Sequence, residues 1–244
     1  MNEFNAYEDM KRAEAYSRLE FPGTYYLAYR DLPRITLEFA HGKKALDFGC
    51  GAGRSTRFLE KYGFSAIGVD ISASMLKKAR EMDPNGNYLQ IDNGDFSIFN
   101  TNAFDVIQSI FTFDNIPGWD NKINIFSEMN RMLKRDGIII NLVSSPEIYF
   151  HEWASFSTKD YPENKSAKCG EIVNIINTDI ADSRPVEDII WPDENYRQVY
   201  DSAGLKVIHM EKPLIDKNAE EFKYFNWINE TEMAPWVIYV LMKK

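Results

Sequence analysis

Short apolar runs alternate with amphipathic stretches through most of the chain. Apolar runs lie at 44–46, 65–69, 88–91, 104–110, 138–143, 205–210 and 236–241. Between several of them, apolar residues recur at helical spacing, as with Ile123, Phe126, Met129 and Leu133 in 119–135. Helices are also expected over 54–61, 72–81 and 193–203. Ser72 or Ser74 would cap the second of these at its start, and Pro84-Asn85-Gly86 would stop it. Gly137 follows the 119–135 stretch and Gly204 follows 193–203 as stop signals. The run at 104–110 is almost wholly apolar, as a parallel strand covered on both faces should be. Strands alternating with helices predict an α/β fold: a mostly parallel, doubly wound sheet with right-handed crossovers.

The alternation breaks twice. Residues 1–43 carry helical signals and a crowd of aromatics, Tyr16, Phe21, Tyr25, Tyr26 and Tyr29 among them, interrupted by Pro22-Gly23. They are expected to form an N-terminal helical cap. Residues 144–191 begin with Tyr149, Phe150, His151, Trp153 and Phe156. Two β-like runs follow, 171–177 and 185–191, joined by a polar turn at 179–183. An antiparallel pair laid over the sheet is expected there, a lid inserted after the fifth strand of a single domain.

The sharpest local signal is Ala45-Leu46-Asp47-Phe48-Gly49-Cys50-Gly51-Ala52-Gly53, where a strand runs into a glycine loop and a helix follows at once. Glycines at such a turn let a ligand approach the main chain. The next strand ends at Asp70, seventeen positions after Gly53, where a carboxylate can accept hydrogen bonds from a ribose diol. The parts describe a nucleoside-binding βαβ unit. The dinucleotide fingerprint is Gly-x-Gly-x-x-Gly. Here the spacing is Gly-x-Gly-x-Gly, and Arg54 stands where the third dinucleotide glycine would fall. Asp47 beside the loop suits an ammonium-bearing ligand better than a pyrophosphate. A nicotinamide-dependent oxidoreductase is therefore the weaker reading.

Composition narrows the class. A formal charge of −9 over 244 residues disfavours an electrostatic grip on nucleic acid. No apolar run reaches the roughly 20 residues that span a bilayer, and Met1-Asn2-Glu3-Phe4 does not begin a signal peptide. Cys50 and Cys169, the two cysteines, fit neither a disulfide framework nor a metal cluster. A cytoplasmic enzyme with no metal, no membrane partner and no nucleic-acid partner is expected.

The segment 46–54 resembles motif I of the class I S-adenosylmethionine-dependent methyltransferases. Val69-Asp70-Ile71-Ser72 with Met75-Leu76 resembles that family's second signature. The resemblance implies a seven-stranded sheet whose last strand, 236–241, is antiparallel, and S-adenosylmethionine as cofactor. It places Gly49, Cys50, Gly51 and Gly53 at the amino acid end of the cofactor and Asp47 near its ammonium. Asp70 would meet the ribose, Ile71 and Met75 the adenine face, and Ile110 would complete the set from the end of the fourth strand. Asp95-Phe96 would take the adenine amino group, with Asp92 as a competitor nearer the strand end. Phe104-Asp105-Val106-Ile107 and 111–117 resemble the fourth motif, except that Asp114-Asn115 stand where many relatives carry histidine. Asp105 itself reads as an anchor at a strand start.

Methyl transfer from a sulfonium needs alignment and desolvation more than side-chain chemistry, so no catalytic motif is required. A small-molecule acceptor is expected between 149–156 and 16–29. There His151 would serve as general base and Tyr16 as a cofactor contact. The alternative for the aromatics is that Tyr149, Phe150 and Trp153 anchor the lid and leave His151 exposed. A cofactor-binding module without catalysis remains the alternative of another kind.

Overall fold

The computed structural model describes residues 9–92 and 94–244. The expectations for residues 1–8 lie outside the described residues, as does Asn93. Seven strands form one sheet: β1 (Lys44–Phe48), β2 (Ser65–Asp70), β3 (Tyr88–Gln90), β4 (Phe104–Ile110), β5 (Leu133–Ser144), β9 (Leu205–Glu211) and β10 (Trp236–Lys243). Their order is β3-β2-β1-β4-β5-β10-β9. β10 runs antiparallel to both neighbours, and the remaining pairings are parallel. This is the sheet the resemblance implied, with 236–241 as its reversed strand.

Strand periodicity divides the core into two layers. On one face, Ala45, Val106, Ile138, Ile140, Ile238 and Val240 pack under helices α2 (Thr24–Arg30), α3 (Leu32–Phe39) and α4 (Arg54–Lys61). On the other face, Leu46, Phe48, Ile107, Ile139 and Tyr239 meet α6 (Trp119–Met132) and α7 (Asp193–Ser202). The helix α5 (Ala73–Met82) starts at Ser72, whose hydroxyl accepts the Met75 amide at 3.3 Å. Asp105 anchors a strand start as expected, accepting the Lys44 amide at 3.0 Å and the Lys134 ammonium at 2.7 Å.

One boundary differs from the sequence reading. The helix expected over 119–135 ends at Met132, because Leu133 already pairs with Phe104 in the sheet. Gly137 is not its stop signal. A Cβ there would lie 2.9 Å from the Asp105 carbonyl and 2.8 Å from a Leu133 methyl, so glycine is required where β5 closes on β4.

Between β5 and α7 lies a second sheet of β6 (Phe156–Ser157), β7 (Ile172–Asn177) and β8 (Val186–Ile189), ordered β6-β7-β8 and antiparallel throughout. Tyr149 and Trp153 are buried packing residues, the Trp153 indole donating to the Ile148 carbonyl. Buried Glu230 ties this region to α2. Its Oε1 accepts the Thr24 hydroxyl and the Ala154 amide, both at 2.7 Å. The Trp236 indole also donates to the Thr24 carbonyl at 2.8 Å. α2 is thereby fixed above the ends of β5 and β10. Among the described residues no helix is long and apolar enough to cross a membrane.

Candidate active site

The glycine loop folds back over the end of β2. The Gly49 and Cys50 amides both donate to the Val69 carbonyl, at 2.8 and 3.0 Å. Asp70 closes the loop from the other side: one oxygen accepts the Gly51 amide at 2.8 Å and the other the Ser72 amide at 2.9 Å. Gly49 has φ +69°, and a Cβ on it would sit 2.2 Å from the Thr112 hydroxyl. Thr112 holds the facing loop by donating to the Phe48 carbonyl at 3.0 Å. Main chain and β4 loop therefore meet at the distance only glycine allows.

Asp47 lies beneath this loop, fully buried, and is not part of the cavity wall. Its Oδ2 accepts the hydroxyls of Ser55 and Thr56 at 2.7 and 2.6 Å, in the first turn of α4. Burial pushes its pKa up to about 6, against the opposing hydrogen bonds from Thr56, Ser55 and Gln108. A carboxylate at a helix N-terminus also complements the helix dipole. The residue holds the loop and helix together from below rather than meeting a ligand.

A cavity of about 490 Å³ opens at the carboxyl ends of the strands, across the point where sheet order reverses between β1 and β4. One half is the cradle, lined by Gly49, Cys50, Gly51, Ala52, Asp70, Ile71, Met75 and Ile91. Of the residues expected to meet the cofactor, Tyr16 and Ile110 line the cavity as well. Gly53 does not. It caps α4 with φ +78°, and a Cβ on it would strike the Tyr88 hydroxyl at 2.6 Å and its ring at 2.8 Å, so it serves packing. Nor do Asp95 and Phe96. Asp95 is exposed and accepts the Ser97 amide at 2.9 Å, while Phe96 is buried against Phe48. Asp92 is exposed and off the wall too; Ile91 and Gly94 represent that segment in the cavity.

The other half is aromatic and draws on both segments expected there, 16–29 and 149–156, with Phe111 and Trp236 added. Tyr25 and Tyr29 from α2, Phe111 after β4, Phe156 from β6 and Trp236 at the start of β10 enclose it. The Tyr25 ring lies 5.8 Å from Phe111, 5.1 Å from Phe156 and 5.9 Å from Trp236. The guanidinium of Arg54 lies 5.0 Å from the Tyr25 ring and 5.1 Å from that of Tyr29, and donates to the Glu20 carbonyl at 2.6 Å. Of the stretch 149–156, only Phe156 reaches the cavity. His151 is a correction: it lies outside the wall, its Nε2 3.2 Å from Glu147 and its ring edge-on to Trp153. The expected base is a surface residue.

Helix α1 (Met10–Ser17) crosses the mouth. Arg12 reaches the turn between β7 and β8, meeting Asp182 at 3.2 Å and the Pro185 carbonyl at 2.9 Å. Arg184 returns to Asp9 at 2.9 Å, and Glu14 pairs with Lys78 on α5. Tyr16, on the same helix, lines the cavity. The Arg12–Asp182 pair is about nine-tenths buried on both sides, and a hydrogen bond to a charged group contributes about 1.5–3 kcal/mol. Asp182→Asn should therefore raise amide exchange in α1 roughly tenfold or more and leave β5 unchanged. Equal exchange in variant and parent would show that the α5 contact alone holds the helix.

Residues 46–141 match the family model described as methyltransferase domain. An N-demethylindolmycin N-methyltransferase of Streptomyces griseus is 25% identical over 207 residues, 84% of this chain and 86% of that protein. A 2-methyl-6-phytyl-1,4-hydroquinone methyltransferase of Synechocystis is 33% identical over 102 residues, 41% of this chain but only 31% of that protein. Among solved structures, an S-adenosylmethionine-dependent methyltransferase from Mesorhizobium loti shares the fold, with TM-score 0.62 at 17% identity, covering 90% of this chain and 98% of that one. The matched segment, the sheet topology and the relatives together mark an S-adenosylmethionine-dependent methyltransferase of class I, an enzyme. The cavity fits the cofactor. A glycine cradle that Cβ atoms would fill faces the acid Asp70 and an apolar ledge of Ile71, Met75 and Ile91. Bound S-adenosylmethionine supplies an electrophilic methyl group.

Proposed function

We propose that the chain methylates a small, partly apolar molecule in the cytoplasm, held in the aromatic half of the cavity with the cofactor in the cradle. One observation carries this reading: α1, α2 and the second sheet cover the carboxyl end of the main sheet, leaving a partly open cavity of about 490 Å³. That is the size of a site for one cofactor and a small partner, not a groove for a strand of nucleic acid. The net charge of −9 agrees. So do the small molecules named for the two relatives. In this reading residues 9–43 and 144–191 form cap and lid, Asp70 accepts the ribose hydroxyls, and Ile71, Met75 and Ile91 hold the adenine. Tyr16 reaches the cofactor from the cap.

Incubation with labelled cofactor and fractionated metabolite pools tests it. Label should appear in a low-molecular-weight fraction; transfer into RNA alone would overturn the reading. The cofactor is checked separately. A ligand of the folded state alone adds RT ln(1 + [L]/Kd), about 2.7 kcal/mol at a hundredfold excess over Kd. At about 2–4 °C per kcal/mol in a chain of this size, S-adenosylhomocysteine should raise the melting temperature by roughly 5–11 °C. NAD and NADP should leave it unchanged.

A further inference from the structure

We infer that the acceptor is an amine, its nitrogen held by the buried carboxylates of Asp114 and Asp188 against the aromatic walls of the cavity, with Asp188 as the base that receives its proton. This inference rests on the reading just proposed, that a small acceptor occupies the aromatic half.

The two acids reach the wall from different parts of the fold. Asp114 follows β4 and is 4% exposed; Asp188 sits on β8 and is 8% exposed. The pleat of β8 turns Val186 and Asp188 inward together, so an acid stands at a position that packing alone would fill with a branched apolar residue. Its partner across the sheet, Val173, is fully buried. A carboxylate in such a place is costly unless something compensates its charge.

The hydrogen-bond partners of both acids are neutral. Asp188 accepts the Tyr149 hydroxyl at 3.1 Å, with Asn115 the other polar side chain directed at it. Asp114 accepts the Ser144 hydroxyl at 2.8 Å and its amide at 3.1 Å. Lys122, a buried cation, favours the charged form of Asp114, but it donates its hydrogen bond to the Phe113 carbonyl and stands over the Trp191 ring at 4.8 Å. Burial lifts both acids above the ordinary carboxylate range, Asp114 to about 6, and the charge of Asp114 adds to the rise at Asp188. Two acids and the rings of Phe111, Phe156 and Trp236 favour a cation or a nitrogen donor. An alcohol or a carboxylate would leave Asp188 without a compensating charge.

The step balances. The held ammonium gives one proton to Asp188, and the nitrogen lone pair forms the new N–C bond. The methyl–sulfur bond breaks with its electron pair staying on sulfur, leaving a neutral thioether. A methylated ammonium then lies beside a protonated Asp188, which returns its proton to solvent when the site opens. Asp114 stays charged and holds the product cation.

Phenethylamine, 2-phenylethanol and 3-phenylpropionate, near-isosteric probes of three charge types, test the inference on the full chain saturated with S-adenosylhomocysteine. The amine should bind at least tenfold more tightly than either of the others. It should also accept label from S-adenosylmethionine at nitrogen. Asp188→Asn should abolish the preference and the transfer, and Asp114→Asn should reduce the preference severalfold. Both variants should keep the S-adenosylhomocysteine affinity of the parent within twofold. Equal binding of the three probes, preference for the alcohol or acid, no amine binding at 10 mM (a ceiling of about 2.7 kcal/mol at 298 K), or a preference surviving in both variants would each overturn it. Failure of the parent to bind S-adenosylhomocysteine would instead overturn the cofactor reading.

Discussion

Gly49→Ala should lower the melting temperature by roughly 5–20 °C and cut S-adenosylhomocysteine affinity by at least tenfold. Two costs add at this one atom. The residue has φ +69°, and a side chain held in that region costs on the order of 1–3 kcal/mol. The added Cβ would also lie 2.2 Å from the Thr112 hydroxyl and 2.3 Å from its methyl. Thr112 is short and branched, and its hydroxyl is tied to the Phe48 carbonyl at 3.0 Å, so it cannot swing aside as a long side chain would. Forcing it back costs a further 1–3 kcal/mol or so, as overpacking generally does. The displaced loop lines the cradle, so binding falls with stability. Gly63→Ala separates the two terms. It has φ +81° with nothing within 4 Å of its added Cβ, and it lies off the cavity. That variant should lose about 1–3 kcal/mol and bind normally. If thermal unfolding gives the two substitutions equal losses, the Thr112 contact yields and the cradle is softer than its geometry implies.

How far the sequence reveals this site depends on how local each interaction is. The sheet is legible because its central strands bury both faces, and their apolar runs say so without reference to any partner. The cradle is legible for a similar reason: Gly49, Gly51, Asp70 and Met75 act within one βαβ unit. The misplacement of Asp47 is a matter of parity. Ala45 and Asp47 share the face of β1 toward α4, whereas Leu46 and Phe48 face α6. An acid in that register had to meet Ser55 and Thr56, not the cavity. The end of α6 at Met132 rests on pairing between Leu133 and Phe104, which no helical period reports. The acceptor half is least legible. Tyr25, Asp114, Asp188 and Trp236 come from four separated segments, and only the packing of α2 and the second sheet onto the strand ends brings them to one wall. His151 drew notice as a titratable residue among aromatics, yet one position along a turn sends its ring to Glu147 while Ile148 and Phe156 take the wall.

Asp70→Ala should weaken S-adenosylhomocysteine binding by about 100-fold or more, while Asp70→Asn should cost about tenfold. In the proposed mode both ribose hydroxyls donate to this carboxylate, and each hydrogen bond to a charged group contributes about 1.5–3 kcal/mol. The same oxygens accept the Gly51 and Ser72 amides at 2.8 and 2.9 Å, so alanine also releases the loop that forms the cradle. Asparagine keeps one acceptor oxygen, but its amide nitrogen would face a backbone N–H. Calorimetric titration alone would not separate lost ribose contacts from a loosened loop, and the 2′-deoxy analogue of the ligand does. If Asp70 meets the ribose, removing the 2′-hydroxyl should weaken binding to the parent by tenfold or more and to Asp70→Ala hardly at all. A coupling of that size between hydroxyl and carboxylate is the signature of direct contact. If the deoxy analogue loses the same factor against both proteins, Asp70 serves only to shape the loop, and the ribose is held by another group.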